Sequence, residues 1–239
     1  MELKDMDIVY PYVEDWEDGK ELLYSIRTVA KNVPHRNIVI IWDCPSRINK
    51  KNIIHIPIDD DKTDKYTNVK YKLLKAMRSE KVSDCFVWMN DDMLILKPIK
   101  KIPYYTYWTL KFHADAVERR SGHSRYWWIL TKTREWFPRG KSFECHTPFI
   151  FDKKLLKQYF DTYWYDITGY AIRSTYGNLY CKSTPYKKHF GRNDCKSYSW
   201  RWDEMWNLNE LVYVSTFDEI KFAYVKRLDS KFDKSIYEL

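Results

Sequence analysis

The stretch Asn37–Asp43, NIVIIWD, constrains this chain more than any other. Its middle is apolar without a break, so a strand built from it has no face to give to water. Such a strand belongs inside a sheet that helices cover on both sides. The neighbouring segments fit that demand. DIVYPYV (7–13) reads as a first strand whose exit Pro11 marks, and Leu22, Leu23, Ile26, Val29 and Ala30 then recur at helical spacing before Pro34. NIIHIPI (52–58) reads as a short strand. A helix is expected from about Thr67 to Ser79, with Val69, Leu73, Leu74 and Ala76-Met77 inward, and FVWM (86–89) is the next strand. This β-α-β-β-α-β order predicts an α/β fold: a Rossmann-like, mixed but mainly parallel sheet flanked by helices.

FVWM runs straight into Asn90, Asp91 and Asp92. Open α/β sheets bind ligands beyond the carboxyl ends of their strands, which is where this acidic pair falls. Unpaired carboxylates are costly to bury, so water, a cationic side chain or a metal ion must meet them. Hard divalent cations such as Mg²⁺ and Mn²⁺ take one or two carboxylates and leave the remaining positions to phosphate and water. A metal held in that way commonly carries a nucleoside diphosphate.

Composition removes several alternatives. Six glycines in 239 residues include no GxGxxG and no GxxxxGK[ST], which argues against a glycine-rich phosphate loop. Five cysteines with no CxxC pair argue against a disulfide framework or a structural zinc; Cys44 and Cys85 sit in strand-like runs and are expected to pack. No apolar run approaches the roughly 20 residues of a membrane span. The start, MELKDMD, is not a signal peptide, so the expected location is cytoplasmic. The net charge of +8 points to an anionic partner or substrate. No linker or repeat divides the chain, which is read as one domain.

The second half is less regular. Residues 103–143 are basic and aromatic and read as an insertion on the sheet fold. PFIFDKKLLKQYF reads as a strand and then a helix from near Asp152, and a further strand is expected at 211–215 before a helical tail.

Taken in order, DIVYPYV, YSIRTV, the strand end WDCPS, a helix with N-x-x-Y-K-L-L from Asn68, and the strand end NDD resemble nucleotide-sugar glycosyltransferases of the GT-A type, and within them the Stealth-like transferases. FECHTPFIFDK (143–153) is similar to their H-x-P-x-x-F-D-K segment. FDKSIYE (232–238) resembles the ending of short phage and bacterial glycosyltransferases, and KKHFGRNDCKSYSW (187–200) is similar to the H-F-x-G-x-x-K-P-W segment of one retaining family. Where the family has DxD, this chain has NDD. The resemblance implies a nucleotide-sugar donor, UDP-linked, held with Mn²⁺ or Mg²⁺ by the first hundred residues, and an acceptor held by the rest. It implies Asp92 and His189 as metal ligands, with Asn90 and Asp91 beside them. Pro11, Tyr12, Val13 and Asp43 stand where base and ribose sit, Tyr12 either stacking on the base or filling the core. Arg27, Asn68, Lys72 and Lys196 are the candidates for donor and phosphate contacts.

An inverting reaction needs a base for the acceptor hydroxyl, and Glu144, His146 and Asp203 are the candidates. Glu144 and His146 flank one residue, so an extended segment turns both to one face. Arg125, Trp127, Trp128 and Lys132 have the composition of an acceptor surface. Double-stranded DNA carrying a hydroxymethylated pyrimidine and capsular or cell-wall polysaccharide both suit it. A basic nucleic-acid-binding protein without catalysis is the rival of another class.

Overall fold

The structure is a computed structural model, and it describes residues 2–13, 19–58, 65–106, 108–163, 169–185, 212–215 and 228–239. Its centre is a five-stranded sheet in the spatial order β3-β2-β1-β4-β7. The strands are β1 (Asp7–Tyr12), β2 (Ile38–Trp42), β3 (Ile54–Ile56), β4 (Cys85–Trp88) and β7 (Phe149–Asp152). The first four run parallel; β7 alone is antiparallel, pairing Phe149 with Trp88 and Asp152 with Cys85.

Both faces of this sheet are covered, as NIVIIWD requires. Ile8, Tyr10 and Tyr12 of β1 point to one side and Val9 to the other, the alternation of a strand buried on both faces. On the first side lies α1 (Lys20–Asn32) with Leu22, Leu23, Ile26 and Val29 inward. On the second side lie Leu73, Leu74 and Ala76 of α2 (Lys65–Arg78), Leu156, Tyr159 and Phe160 of α5 (Lys153–Tyr163) and Tyr176 of α6 (Ile172–Tyr180).

Beyond the main sheet, β5 (Met93–Ile95) pairs antiparallel with β9 (Tyr213–Ser215), and β6 (Tyr105–Thr106) pairs with β8 (Thr184–Pro185). Helix α1 fixes β5 through a polar stripe. Ser25 Oγ donates to Met93 O at 2.5 Å, Thr28 Oγ1 accepts from Ile95 N at 3.0 Å, and Asn32 Nδ2 donates to Ile95 O at 2.7 Å. The free edge of a two-stranded ribbon is thereby satisfied by side chains rather than by a third strand.

The insertion departs from the expected irregularity. Residues 103–143 contain two helices, α3 (Leu110–Ser121) and α4 (Arg125–Trp136), packed as a hairpin on Leu110, Ala114, Val117, Ile129 and Leu130. Thr109 and Ser124 cap them, accepting from Phe112 N at 3.2 Å and Trp127 N at 3.3 Å, and Gly122 ends α3 at φ 60°. The dense aromatic and basic content hides the 3.6-residue period, while the two caps and the glycine mark both helices in the sequence.

Candidate active site

Parallel strands put their carboxyl ends at one edge, and Asp91, Asp92 and His146 come together there. Asp91 and Asp92 turn from β4 into β5 and are half-buried. Because β7 is antiparallel, the segment 144–148 that leads into it arrives at the same edge. Because β9 pairs Ser215 with Met93, Ser215 arrives there as well. Three distant parts of the chain therefore meet. The Ser215 hydroxyl donates to Asp92 Oδ2 at 2.6 Å, and its oxygen lies 3.4 Å from His146 Nδ1. With its proton given to Asp92, the serine oxygen faces the imidazole as an acceptor. That favours the tautomer protonated on Nδ1 and leaves Nε2 able to take a proton.

Below the aspartate turn, Tyr10 Oη and Ser25 Oγ share a hydrogen bond at 2.9 Å, and Ser25 holds Met93 O. Burial pushes the Tyr10 hydroxyl well above the usual tyrosine range, and the nearby Asp91 charge adds to it, so Tyr10 is a neutral prop.

A cavity of about 500 Å³ opens beside this turn. Asn90, Glu144 and His146 line it, as do Tyr66 and Lys70 of α2, Tyr126 of α4 and Arg173 of α6. Glu144 and His146 both line it, from irregular backbone with a bend at His146 rather than from the extended segment expected. They differ in commitment. Glu144 Oε1 accepts from Ser174 N at 3.0 Å and Ser174 Oγ at 2.9 Å, which caps the first turn of α6. Arg173 answers from the other side: Nη1 donates to Cys145 O at 2.8 Å and Thr147 O at 3.2 Å, the carbonyls on either side of His146. Burial pulls the Arg173 guanidinium below the usual arginine range, opposed by the charge of Glu144 and, more weakly, of Asp92. This reciprocal staple holds the His146 backbone against α6.

On the donor side, β2 ends under strain. Trp42 has φ 93°, which a bulky residue rarely adopts. The Trp42 carbonyl accepts from His55 Nε2 at 2.7 Å, and Lys72 Nζ stands 4.2 Å from the centre of its ring. Lys72 Nζ is also 3.5 Å from Pro11 O, so this lysine is packed between the ends of β1 and β2 and is only 2% exposed. Asp43, next in the chain, donates its N–H to Tyr12 O at 3.4 Å, and Val13 is exposed at the same edge. Asn68 lies half-buried on α2.

One alternative is decided and one expectation needs correction. Tyr12 is wholly buried among the α1 core residues, so it fills the core and has no free face for a base. Arg27 lies on α1 away from the edge. Its guanidinium is taken by Glu238, at 2.8–3.1 Å, and by Asp229 at 2.8 Å. The YSIRTV motif is structural wiring: Ser25 and Thr28 hold β5, and Arg27 holds the C-terminal segment.

The acceptor candidates lie on α4. Trp128 is 59% exposed, while Trp127 is half-buried, edge-on to Trp128 and tilted 4.3 Å from the ring of His123. Arg125 stands 5.7 Å over the ring of Tyr66, and Lys132 Nζ 5.4 Å over that of Tyr170, both rings of the cavity wall. His189, Lys196 and Asp203 lie outside the described residues. Ser215, Arg173, Tyr66 and Tyr126 have no motif of their own. Only the antiparallel entry of β7 and β9 and the packing of three helix starts reveal them.

The parallel sheet with its acidic carboxyl edge, crossed by one antiparallel strand and joined to a small second sheet, defines the class: a GT-A-type glycosyltransferase fold. No protein-family profile and no curated protein matches the chain. Solved structures do resemble it. An active-site mutant of LgtC aligns over 96% of this chain and 97% of its own, at 12% identity and a TM-score of 0.50. The galactosyltransferase LgtC in complex with donor and acceptor sugar analogues aligns over the same shares at 11% identity and TM-score 0.47. GlyE, a glycosyltransferase of Streptococcus pneumoniae, aligns over 78% of this chain but 46% of its own, at 10% identity and TM-score 0.41. At such identity the likeness to LgtC is one of fold. Among the described residues no helix is long and apolar enough to cross a membrane.

Proposed function

We propose that this protein is a metal-dependent glycosyltransferase that moves a sugar from a nucleoside diphosphate sugar, UDP-linked, to a hydroxyl acceptor. The convergence of Asp92, Ser215 and His146 at the carboxyl edge of a GT-A-type sheet carries the reading. In it the first hundred residues serve the donor and the rest serve the acceptor.

The residues fit a metal that arrives with its donor. Asp91 and Asp92 offer the one or two carboxylates that Mn²⁺ or Mg²⁺ needs when diphosphate and water complete the shell. Among the described residues no group of three or more His, Cys, Asp or Glu side chains could hold an ion alone, so a cage built only from them is not the design. His189 is proposed to join the site and Lys196 to meet phosphate. A bound ion supplies charge stabilisation to the departing diphosphate. Lys72 and Asp43, at the ends of β1 and β2, are proposed to contact the donor, and Asn68 and Asn90 with them.

His146 is the proposed base. Ser215 holds Nδ1, and Nε2 takes the proton of the acceptor hydroxyl as that oxygen attacks the anomeric carbon. The proton rests on Nε2 while the glycosidic bond to phosphate breaks. Glu144 keeps the segment in place and is the weaker candidate, since one of its oxygens already accepts two hydrogen bonds; Asp203 is the third. The proposed acceptor is a hydroxymethylated pyrimidine in DNA, with Arg125, Trp127, Trp128 and Lys132 toward the polymer. The net charge of +8, and Arg125 and Lys132 over two rings of the cavity wall, support that choice over a capsular or cell-wall polysaccharide.

The test is transfer from radiolabelled nucleotide sugars with Mn²⁺ to hydroxymethylated DNA or to polysaccharide. Asp92→Asn is expected to lose metal-dependent transfer while keeping its fold. An unchanged Asp92→Asn enzyme would remove the metal from the account.

A further inference from the structure

The rings of Tyr66 and Tyr126 lie 8° from parallel with centroids 6.2 Å apart, and both line the cavity beside Asn90 and His146. They come from different elements: each is the second residue of its helix, α2 and α4. The sheet core does not require either of them. They pack instead on the small α3–α4 cluster and remain half-buried at the cavity wall. Arg125 stands over Tyr66, and Lys70, 3% exposed, lines the same space.

Resting on the glycosyltransferase reading, we propose that Tyr66 and Tyr126 form the ring-binding platform for a single nucleotide of the acceptor, displaced from its strand so that its base stacks on this wall. Two observations favour a nucleotide over a sugar. The two phenol faces are parallel, which suits a planar base, and in this proposal the Arg125 guanidinium, now 5.7 Å over the Tyr66 ring, turns to the phosphate next to that base. The exposed Trp128 lies on the same helix as Arg125 and Lys132, one turn from each, and so continues the surface for the flanking strand. Extrusion is part of the proposal because Tyr66, Tyr126 and His146 line one cavity, which a base kept in its duplex cannot enter.

The experiment measures binding of a hydroxymethylcytosine oligonucleotide without donor or metal, so it does not depend on transfer. Replacing one stacking ring by alanine weakens nucleic-acid binding by about 5- to 150-fold. Tyr66→Ala and Tyr126→Ala are expected to fall in that range, and Tyr66→Phe and Tyr126→Phe to bind as the parent does. With an abasic site at the target position, the alanine variants and the parent should bind alike. Thermal melting checks that each variant is folded. Equal loss on base-bearing and abasic strands would overturn the proposal, as would no loss at all. A loss seen with an oligosaccharide but not with DNA would overturn it too and assign the platform to a sugar. Donor binding in the same preparation tests the glycosyltransferase reading separately.

Discussion

At the scale of single residues, position along the strand decides what an aspartate does. Asp7 opens β1 at the amino edge and is fully buried, but it is surrounded: Arg36 meets both its oxygens at 2.9 and 2.7 Å, Asn37 donates at 3.0 Å and Ser83 N at 2.7 Å. Burial pushes its carboxyl up, and these hydrogen bonds outweigh that and hold it below the usual aspartate range. Its folded pKa lies under its unfolded one, so its contribution is complete above about pH 4 and is lost as pH falls through the folded value. Asp7→Asn is expected to cost about 1–3 kcal/mol at neutral pH, because Ser83 and half-exposed Arg36 lose a charged partner. Urea unfolding should also show a flatter acid limb in that variant. Asp92, at the opposite edge, has Ser215 and His146 for company. His146→Ala is expected to lower turnover by about 10²–10⁴-fold with donor affinity kept. Ser215→Ala should act in the same direction but less, through the lost tautomer preference. Steady-state kinetics with separate donor titrations checks both.

At the scale of elements, what the sequence announces is what local pattern governs. NIVIIWD and FVWM are apolar on both faces, and α1 is amphipathic, so the β1–β4 half of the sheet is legible before any coordinates. The carboxylates after β4 are legible because they occupy the turn that follows a recognisable strand. Glu144 and His146, by contrast, lie in irregular backbone ahead of β7, with a bend at His146, and only the fold brings them to the cavity. The rest depends on contacts that no local pattern records. Ser215 stands at the aspartates because β9 pairs with β5, and Arg173 grips both carbonyls beside His146 because α6 starts there. Tyr12, open in the sequence between a base contact and the core, is core, since alternation along β1 turns it toward α1. Helices α3 and α4 are masked by Arg, Lys and Trp on surfaces facing solvent and the cavity. The β5 ribbon offers an element-scale test. Thr28→Val keeps shape but leaves Ile95 N–H buried without its acceptor, and a loss of about 1–3 kcal/mol is expected by urea denaturation. Arg173→Met should leave α6 folded through the Glu144 cap yet loosen residues 145–147, seen as faster amide exchange at Thr147, whose N–H bonds Cys145 O.

At the scale of the molecule, the C-terminal segment closes the fold around α1. Glu238 binds Arg27 and accepts from Ser235 N at 2.8 Å, Tyr237 Oη meets His35 Nε2 at 2.9 Å, and Asn49 N donates to Tyr237 O at 2.8 Å. The FDKSIYE ending is therefore a clasp that ties the last residues to the first helix and to the loop after β2. Removing residues 235–239 should lower the melting temperature without touching the carboxyl edge. That edge carries the central claim: one metal-bearing nucleotide sugar bound by Asp91 and Asp92. Thermal melting against a panel of nucleoside diphosphate sugars, with and without Mn²⁺, tests it most directly, because a ligand raises the stability of the state that binds it. The account predicts a rise with one nucleotide family that requires Mn²⁺ and disappears in Asp92→Asn. A flat response to every nucleotide, or a rise that Mn²⁺ and Asp92→Asn leave unchanged, would contradict it.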